Sequence, residues 1–266
     1  MELETARALI ALNTAFYRKN AQGFAATRSN PWPGWERVAS LLKDSLEPGR
    51  AASILDLACG TMRFERFLAH ALPDRHLSFY AVDNCATLAT EDEPPVHTTF
   101  YDTDILGTLA ERPPKAPEIA SPNALDALPP CDLSCCFGFM HHVPGLELRA
   151  HVMRFLAEHT RPGGLVALSF WQFMNDERLA RKASQAEQAA REHPENLEFA
   201  VNALEEGDHL LGWQESGSFR YCHHFTEEEI DRLVAMLPDG MVRELARYSD
   251  DGKSRELNRY VVLKRL

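Results

Sequence analysis

The sequence predicts an α/β protein whose single sheet is mostly parallel and carries helices on both faces. Short runs rich in Leu, Val, Ile and Phe alternate with segments whose apolar residues recur at helical spacing. Except after the third strand and in the last pair of runs, each strand is followed by a helical segment rather than a tight turn, as is usual where parallel strands are joined.

The elements follow in order. Leu9, Leu12 and Phe16 lie at helical spacing, and the chain then breaks into GFAATRSNPWPGW, which predicts a helix followed by an ordered arm. ERVASLLKDSL is a second helix, ended by Pro48 and Gly49, and SILDLA is the first strand. Phe64, Phe67, Leu68, Ala71 and Leu72 form the face of a helix packed on a sheet. LSFYAV and HTTFY are the second and third strands. The stretch holding RPPKAP and ALPP has too many prolines for a central element and is expected to be a surface excursion before the fourth strand, DLSCCFGF. Leu148, Val152, Phe155 and Leu156 make a further helix that RPGG is expected to end, and LVALSFWQF is the fifth strand. NDERLARKASQAEQAAREH reads as a helix polar nearly all round, an exposed connector or a lid. In TEEEIDRLVAML, Thr226 and Glu229 have capping-box spacing. MVRELARY and NRYVVLKRL look like paired strands around SDDGKS. Residues 1–49 are thus expected to form helices and an arm over the cleft of a globular unit made by residues 50–266.

Composition narrows the partners. A formal net charge of -11 disfavours nonspecific nucleic-acid binding, which needs a basic face, although seven Lys or Arg stand against four acids from Met241 onward. No run reaches the roughly 18 consecutive apolar residues of a membrane span. The opening MELETARALIALN carries acids where a signal peptide needs a basic segment, so a cytoplasmic location with no membrane partner is expected. Six cysteines show neither a CxxC pair nor a repeated spacing, which speaks against zinc and against a disulfide framework. His141–His142 and His223–His224 are adjacent pairs, and adjacent histidines seldom both ligate one ion without nearby acids or thiolates, so no metal is expected.

The densest chemical signal is ILDLACGTMRF at the first strand-to-helix junction. Ala58, Cys59 and Gly60 are small, so a ribose and a charged tail can lie against the backbone there, and Asp56 can accept from an ammonium. The second strand ends on Asp83 and Asn84, where an acid can accept both hydroxyls of a ribose. The third strand end offers Asp102 and Asp104, either suited to an adenine amino group, with Ile105 against the base. Phe137, at the end of the fourth strand, completes the expected cofactor set. Taken singly, each acid fits a helix cap equally well.

Together, D-L-A-C-G-T, Y-A-V-D, T-D-I-L and the LSCCFGF strand leading to RPGG resemble the class I S-adenosylmethionine-dependent methyltransferases. The resemblance implies a Rossmann-like fold whose seven-stranded sheet has an antiparallel last strand, with S-adenosyl-L-methionine as cofactor. Met62 stands where that family usually has a third small residue. AFYRKNAQGFAATRSNPWPGW, MHHVPGLELR, GDHLLGWQ, FRYCHHF and NRYVVLKR are similar, in order and spacing, to tRNA methyltransferases that esterify carboxymethyl groups on wobble uridine. In that comparison Arg220, Tyr221 and His223 match a motif near the reacting carboxylate, and Cys222 replaces a second tyrosine.

In-line methyl transfer needs positioning more than a base, and a carboxylate acceptor needs no deprotonation at neutral pH. Arg28 and Arg220 suit such a carboxylate by bidentate hydrogen bonds, with Tyr17 and His223 completing the pocket. Of His141 and His142, one is expected to face the cleft, assigned here to His141. The expected partner is a small-molecule substrate or tRNA. A nucleotide-binding module or an NAD-linked oxidoreductase shares the layout, but the first strand lacks the G-x-G-x-x-G that follows it in such proteins.

Overall fold

The computed structural model describes residues 1–26, 30–89, 94–95, 97–111, 124–212 and 218–266. Arg28, most of the proline-rich excursion and Trp213 lie outside them. The strands are β1 (Ala52–Leu57), β2 (Leu77–Asp83), β3 (Thr98–Asp102), β4 (Cys131–Cys136), β5 (Thr160–Trp171), β6 (Asp208–Gly212), β7 (Phe219–His223), β8 (Val242–Asp250) and β9 (Asn258–Arg265). The helices are α1 (Leu3–Ala26), α2 (Gly34–Ser45), α3 (Arg63–Ala71), α4 (Ala86–Ala89), α5 (Ile105–Glu111), α6 (Leu146–Glu158), α7 (Glu177–Glu192) and α8 (Glu227–Ala235).

Seven strands form one sheet in the order β3-β2-β1-β4-β5-β9-β8, with β1 to β5 parallel and β9 running antiparallel to both β5 and β8. Both faces are covered, so the central strands are buried nearly throughout and their alternate apolar residues enter different cores. Leu55, Val166, Leu168 and Val261 pack with Val152, Phe155 and Leu156 of α6 and Ile230 and Leu233 of α8. Their neighbours Ile54, Leu165, Ala167 and Val262 pack with Val38 and Leu42 of α2 and Phe64 and Leu68 of α3. Strand order reverses between β1 and β4, and at such a switch point the carboxyl ends of the strands diverge into a crevice.

Three elements depart from the sequence reading. RPGG does not end a helix: α6 stops at Glu158, and RPGG bulges from the beginning of β5, where Cys131 pairs with Thr160 but Leu133 with Leu165. Gly163 takes φ +84°, a left-handed value that glycine tolerates without cost from a Cβ. The helix α7 is not polar all round, because Ala183, Ala186 and Ala190 form a buried seam against β6. Lastly, FRYCHHF is a strand of a separate two-stranded sheet, β6 with β7, outside the main one. Thr226 caps α8 as expected by accepting from the Glu229 N–H at 3.2 Å, but the Glu229 carboxylate is engaged elsewhere. Among the described residues, no helix is long and apolar enough to cross a membrane.

Candidate functional site

A cleft of about 140 Å³ opens at the carboxyl ends of β1, β2 and β4. Its floor is the turn after β1, which doubles back because Ala58, Gly60 and Met62 all adopt left-handed backbone angles of φ +67°, +54° and +55°. Such a conformation costs a non-glycine residue on the order of 1 kcal/mol or more and clusters at functional sites. A Cβ on Gly60 would meet nothing within 4 Å, so this backbone faces open space in the cleft. Met62 turns the other way: it is buried with Cys59, Ala81 and Ala89 and leaves the cleft clear.

Asp56, Ala58, Cys59, Gly60, Asp83, Asn84, Asp104, Ile105 and Phe137 all line this cleft, and Tyr17 joins them from α1. Asp83 is buried; its Oδ2 accepts from the Gly60 N–H and its Oδ1 from the Cys85 N–H, both at 2.9 Å. Burial pushes its carboxyl up, while these backbone donors pull against the shift. The Asn84 N–H is a third backbone donor to this carboxylate, which leaves one lone pair for a ligand hydroxyl. Asp104 lines the cleft and also caps α5, accepting from the Gly107 N–H at 3.0 Å, whereas Asp102 is exposed and does not line it. Asp56 is fully enclosed, and burial, first among several causes, pushes it up to about 7.

The far wall differs from the sequence reading. His142, not His141, lines the cleft; His141 is buried against Trp171, with ring centroids 4.8 Å apart. His142 Nδ1 lies 2.9 Å from the Tyr221 carbonyl and 3.1 Å from Asn13 Nδ2, an acceptor and a donor, while its Nε2 shares a hydrogen bond with the Tyr17 hydroxyl at 2.7 Å. Arg220 Nη1 in turn donates to the Tyr17 oxygen at 3.3 Å, and its guanidinium rests between Phe16 and Trp171. Arg220 therefore reaches the cleft through Tyr17 rather than lining it.

His223 lies elsewhere, for a reason of strand geometry. Along β7 successive side chains alternate, so Arg220 and Cys222 turn toward α1 and His142 while Tyr221 and His223 turn away. His223 Nδ1 and Nε2 contact Asp208 and Glu229 at 2.7 and 2.6 Å, inside a buried cluster with Arg149 and Tyr221. Burial alone would raise Asp208 and Glu229, but His223 and Arg149 outweigh it and hold both carboxyls below their usual range. This cluster ties α6, β6, β7 and α8 together, and none of its members lines the cleft.

Ile10, Asn13 and Thr14 of α1, Trp32, and Trp35 of α2 also line the cleft; none was singled out in the sequence, although an arm ending in the two tryptophans was expected over it. Asn13 Nδ2 donates to the Tyr221 carbonyl at 3.1 Å and its Oδ1 accepts from the Tyr221 N–H at 2.8 Å, so its amide serves β7 as a strand partner would. An asparagine on the apolar face of the first helix was the available signal. Trp32 sits so close to Gly138 that an added Cβ would lie 2.8 Å from its ring, and Arg63 secures the arm by stacking on Trp32 and donating to the Asn30 carbonyl at 2.8 Å. His141, His142 and Cys222 bring candidate metal-ligand atoms within 4.8 Å of one another, a grouping the sequence pairs did not foretell. Both His142 nitrogens are committed to hydrogen bonds, so ligation there would break the contacts to Tyr17 or Tyr221.

This sheet order, with its antiparallel β9 and a cleft beside the β1 turn, is the Rossmann-like fold of the class I S-adenosylmethionine-dependent methyltransferases. The chain is similar to an S-adenosylmethionine-dependent methyltransferase from Methanosarcina mazei at a TM-score of 0.53 and 16% identity, covering 85% of this chain and 97% of that one. An amino pentose methyltransferase from Micromonospora echinaspora superposes with a TM-score of 0.54 at 16% identity over 92% and 96% of the two chains. A sugar N-methyltransferase from Streptoalloteichus gives 0.53 at 15% identity over 92% of each. No family model matches the chain, and no curated protein matches it in sequence. At these identities the likeness is one of fold.

Proposed function

We propose that this protein is an enzyme that uses S-adenosyl-L-methionine to methylate a small-molecule acceptor, read here as a carboxylate. The reading rests above all on the cleft at the strand-order switch, where an unobstructed Gly60 turn, Asp83 and Asp104 stand in the order that a methionine tail, a ribose and an adenine require. Its acids suit a ligand with an ammonium and a sulfonium. Asp83 and Asp104 would hold the ribose and the adenine amino group, Ile105 and Phe137 would flank the apolar parts, and Asp56 would face the ammonium. Bound there, the cofactor supplies an electrophilic methyl group.

The protein's part is to position the acceptor and keep water out. Tyr17 and His142 form the cleft wall, and Arg220 sets a cation behind the Tyr17 hydroxyl, which favours an anionic acceptor over a neutral one. A carboxylate held there attacks without prior deprotonation, so no base is required of this wall. Calorimetry with S-adenosylhomocysteine and NAD tests the cofactor: binding of the first and not the second is expected, and the reverse would make the chain a dinucleotide-binding protein. Transfer of labelled methyl groups into fractionated cell metabolites and RNA tests the acceptor. Label in carboxylate metabolites is expected, and label in tRNA would move the acceptor to wobble uridine.

A further inference from the structure

Behind the cleft floor lies an acid the proposed chemistry does not use. Glu65, in the first turn of α3, is completely buried, an environment in which carboxyl groups are rarely found unless paired. Its side chain meets that of Asp56, at the carboxyl-terminal half of β1, within hydrogen-bonding reach. Apart from that mutual contact, Asp56 Oδ1 and both Glu65 oxygens lack a well-formed hydrogen bond, and the Glu65 carboxyl meets only its own backbone N–H. Two carboxylates cannot both be charged in a dry pocket, so the pair must hold a proton, and a carboxyl that keeps it becomes a hydrogen-bond donor.

The surroundings decide which acid keeps the proton. Asp56 lines the cleft, whereas Glu65 does not. Burial and the neighbouring Asp56 charge drive Glu65 well above the ordinary range of a glutamate, and Arg66 on its own helix opposes this only in part. The other groups facing the pair are Cys135 and Cys136 of β4, Cys59 of the turn and Asp83 of β2, none of them cationic. The Cys135 thiol also reaches Asp56, and its one hydrogen is divided between that carboxylate and the Leu55 carbonyl at 3.4 Å. Beside this weak donor, Glu65 is the second group that can donate to Asp56.

We infer that Glu65 is a positioning residue whose carboxyl, held in its acid form, donates a hydrogen bond to Asp56, favours the charged form of that carboxylate and aims it at the ammonium end of the cofactor. The inference rests on the cofactor reading above. Glutamine preserves a donor of nearly the same shape, whereas leucine fills the space without one. The Asp56 carboxyl can be followed by 13C NMR in the cofactor-free protein from about pH 5 to about pH 9, and S-adenosylhomocysteine affinity by calorimetry over the same range. In Glu65→Leu the Asp56 midpoint is expected to move up by about one pH unit. Affinity should then fall about fivefold near neutral pH and recover at the alkaline end, where Asp56 is ionised in either protein. Glu65→Gln is expected to keep both the midpoint and the affinity of the parent. An affinity loss in Glu65→Leu that is equal at every pH, with the Asp56 midpoint unmoved, would overturn the inference and make Glu65 a packing residue. So would a Glu65→Gln variant as impaired as Glu65→Leu. Failure of the parent protein to bind S-adenosylhomocysteine would instead remove the cofactor reading, while the Asp56 midpoints would still judge the hydrogen bond.

Discussion

Asp83 has two tasks at once: its oxygens fix the backbone of the β1 turn and the chain after β2, and its carboxylate lines the cleft. Asp83→Ala should therefore weaken S-adenosylhomocysteine binding about 10- to 100-fold, the loss expected for hydrogen bonds to a charged group. Unchanged affinity by calorimetry would remove Asp83 from the site. Glu65 leads to a separate expectation about stability. A buried acid whose native value is raised contributes stability that is complete below its unfolded value and drains away as pH rises toward the native one, at about 1.4 kcal/mol per pH unit. Glu65→Gln removes that drain, so its urea midpoint should climb above the parent's between about pH 5 and about pH 8. A constant difference across that range would mean that Glu65 is ionised in the native protein. The sequence made Asp83 legible because a strand end places it. Glu65 was not, since nothing in a one-dimensional pattern tells a helix acid that faces inward from one that faces solvent.

At the level of single elements, β7 shows what a motif conceals. FRYCHHF offered Arg220 and His223 as one substrate-binding set, yet residues three apart on a strand point to opposite faces. Reading the motif as a strand with period two would have separated them. Arg220→Lys keeps the charge but loses the planar fork, and Arg220→Ala loses both; each is expected to depress turnover on the true acceptor while leaving cofactor affinity within about twofold of the parent's. His223→Ala should do the opposite. Removing one partner from a buried ionic cluster typically costs about 3 to 5 kcal/mol, so a lower denaturation midpoint with cofactor affinity retained is the expected outcome. If the alanine variant of His223 stayed fully stable but lost turnover, the cluster would have to be part of the site. The helix α7 was misread for another reason. Alanine carries too little hydrophobic weight to mark a face, yet at Ala183, Ala186 and Ala190 its small size lets the helix lie close on β6.

On the scale of the whole molecule, the parallel sheet was legible because burial on both faces makes its strands rich in apolar residues, and the glycine turn marks where the first of them ends. The reach of α1 was not legible, since its contacts are set by how a helix crosses a cleft built by residues far along the chain. Leu9 and Phe16 are buried, Asn13 holds the backbone of β7, and Ile10, Thr14 and Tyr17 line the cleft, so α1 joins the small sheet to the proposed cofactor site. Deleting so well packed a helix would expose apolar surface, and any loss of activity would be uninformative. Hydrogen exchange avoids that difficulty. If α1 closes over bound cofactor, S-adenosylhomocysteine should slow amide exchange in α1 and in the β1 turn while leaving β8 and β9, at the other side of the sheet, unchanged. Slowing confined to the β1 turn, with α1 exchanging as in the free protein, would show that α1 is a fixed wall of the cleft and that closure is carried by some other element.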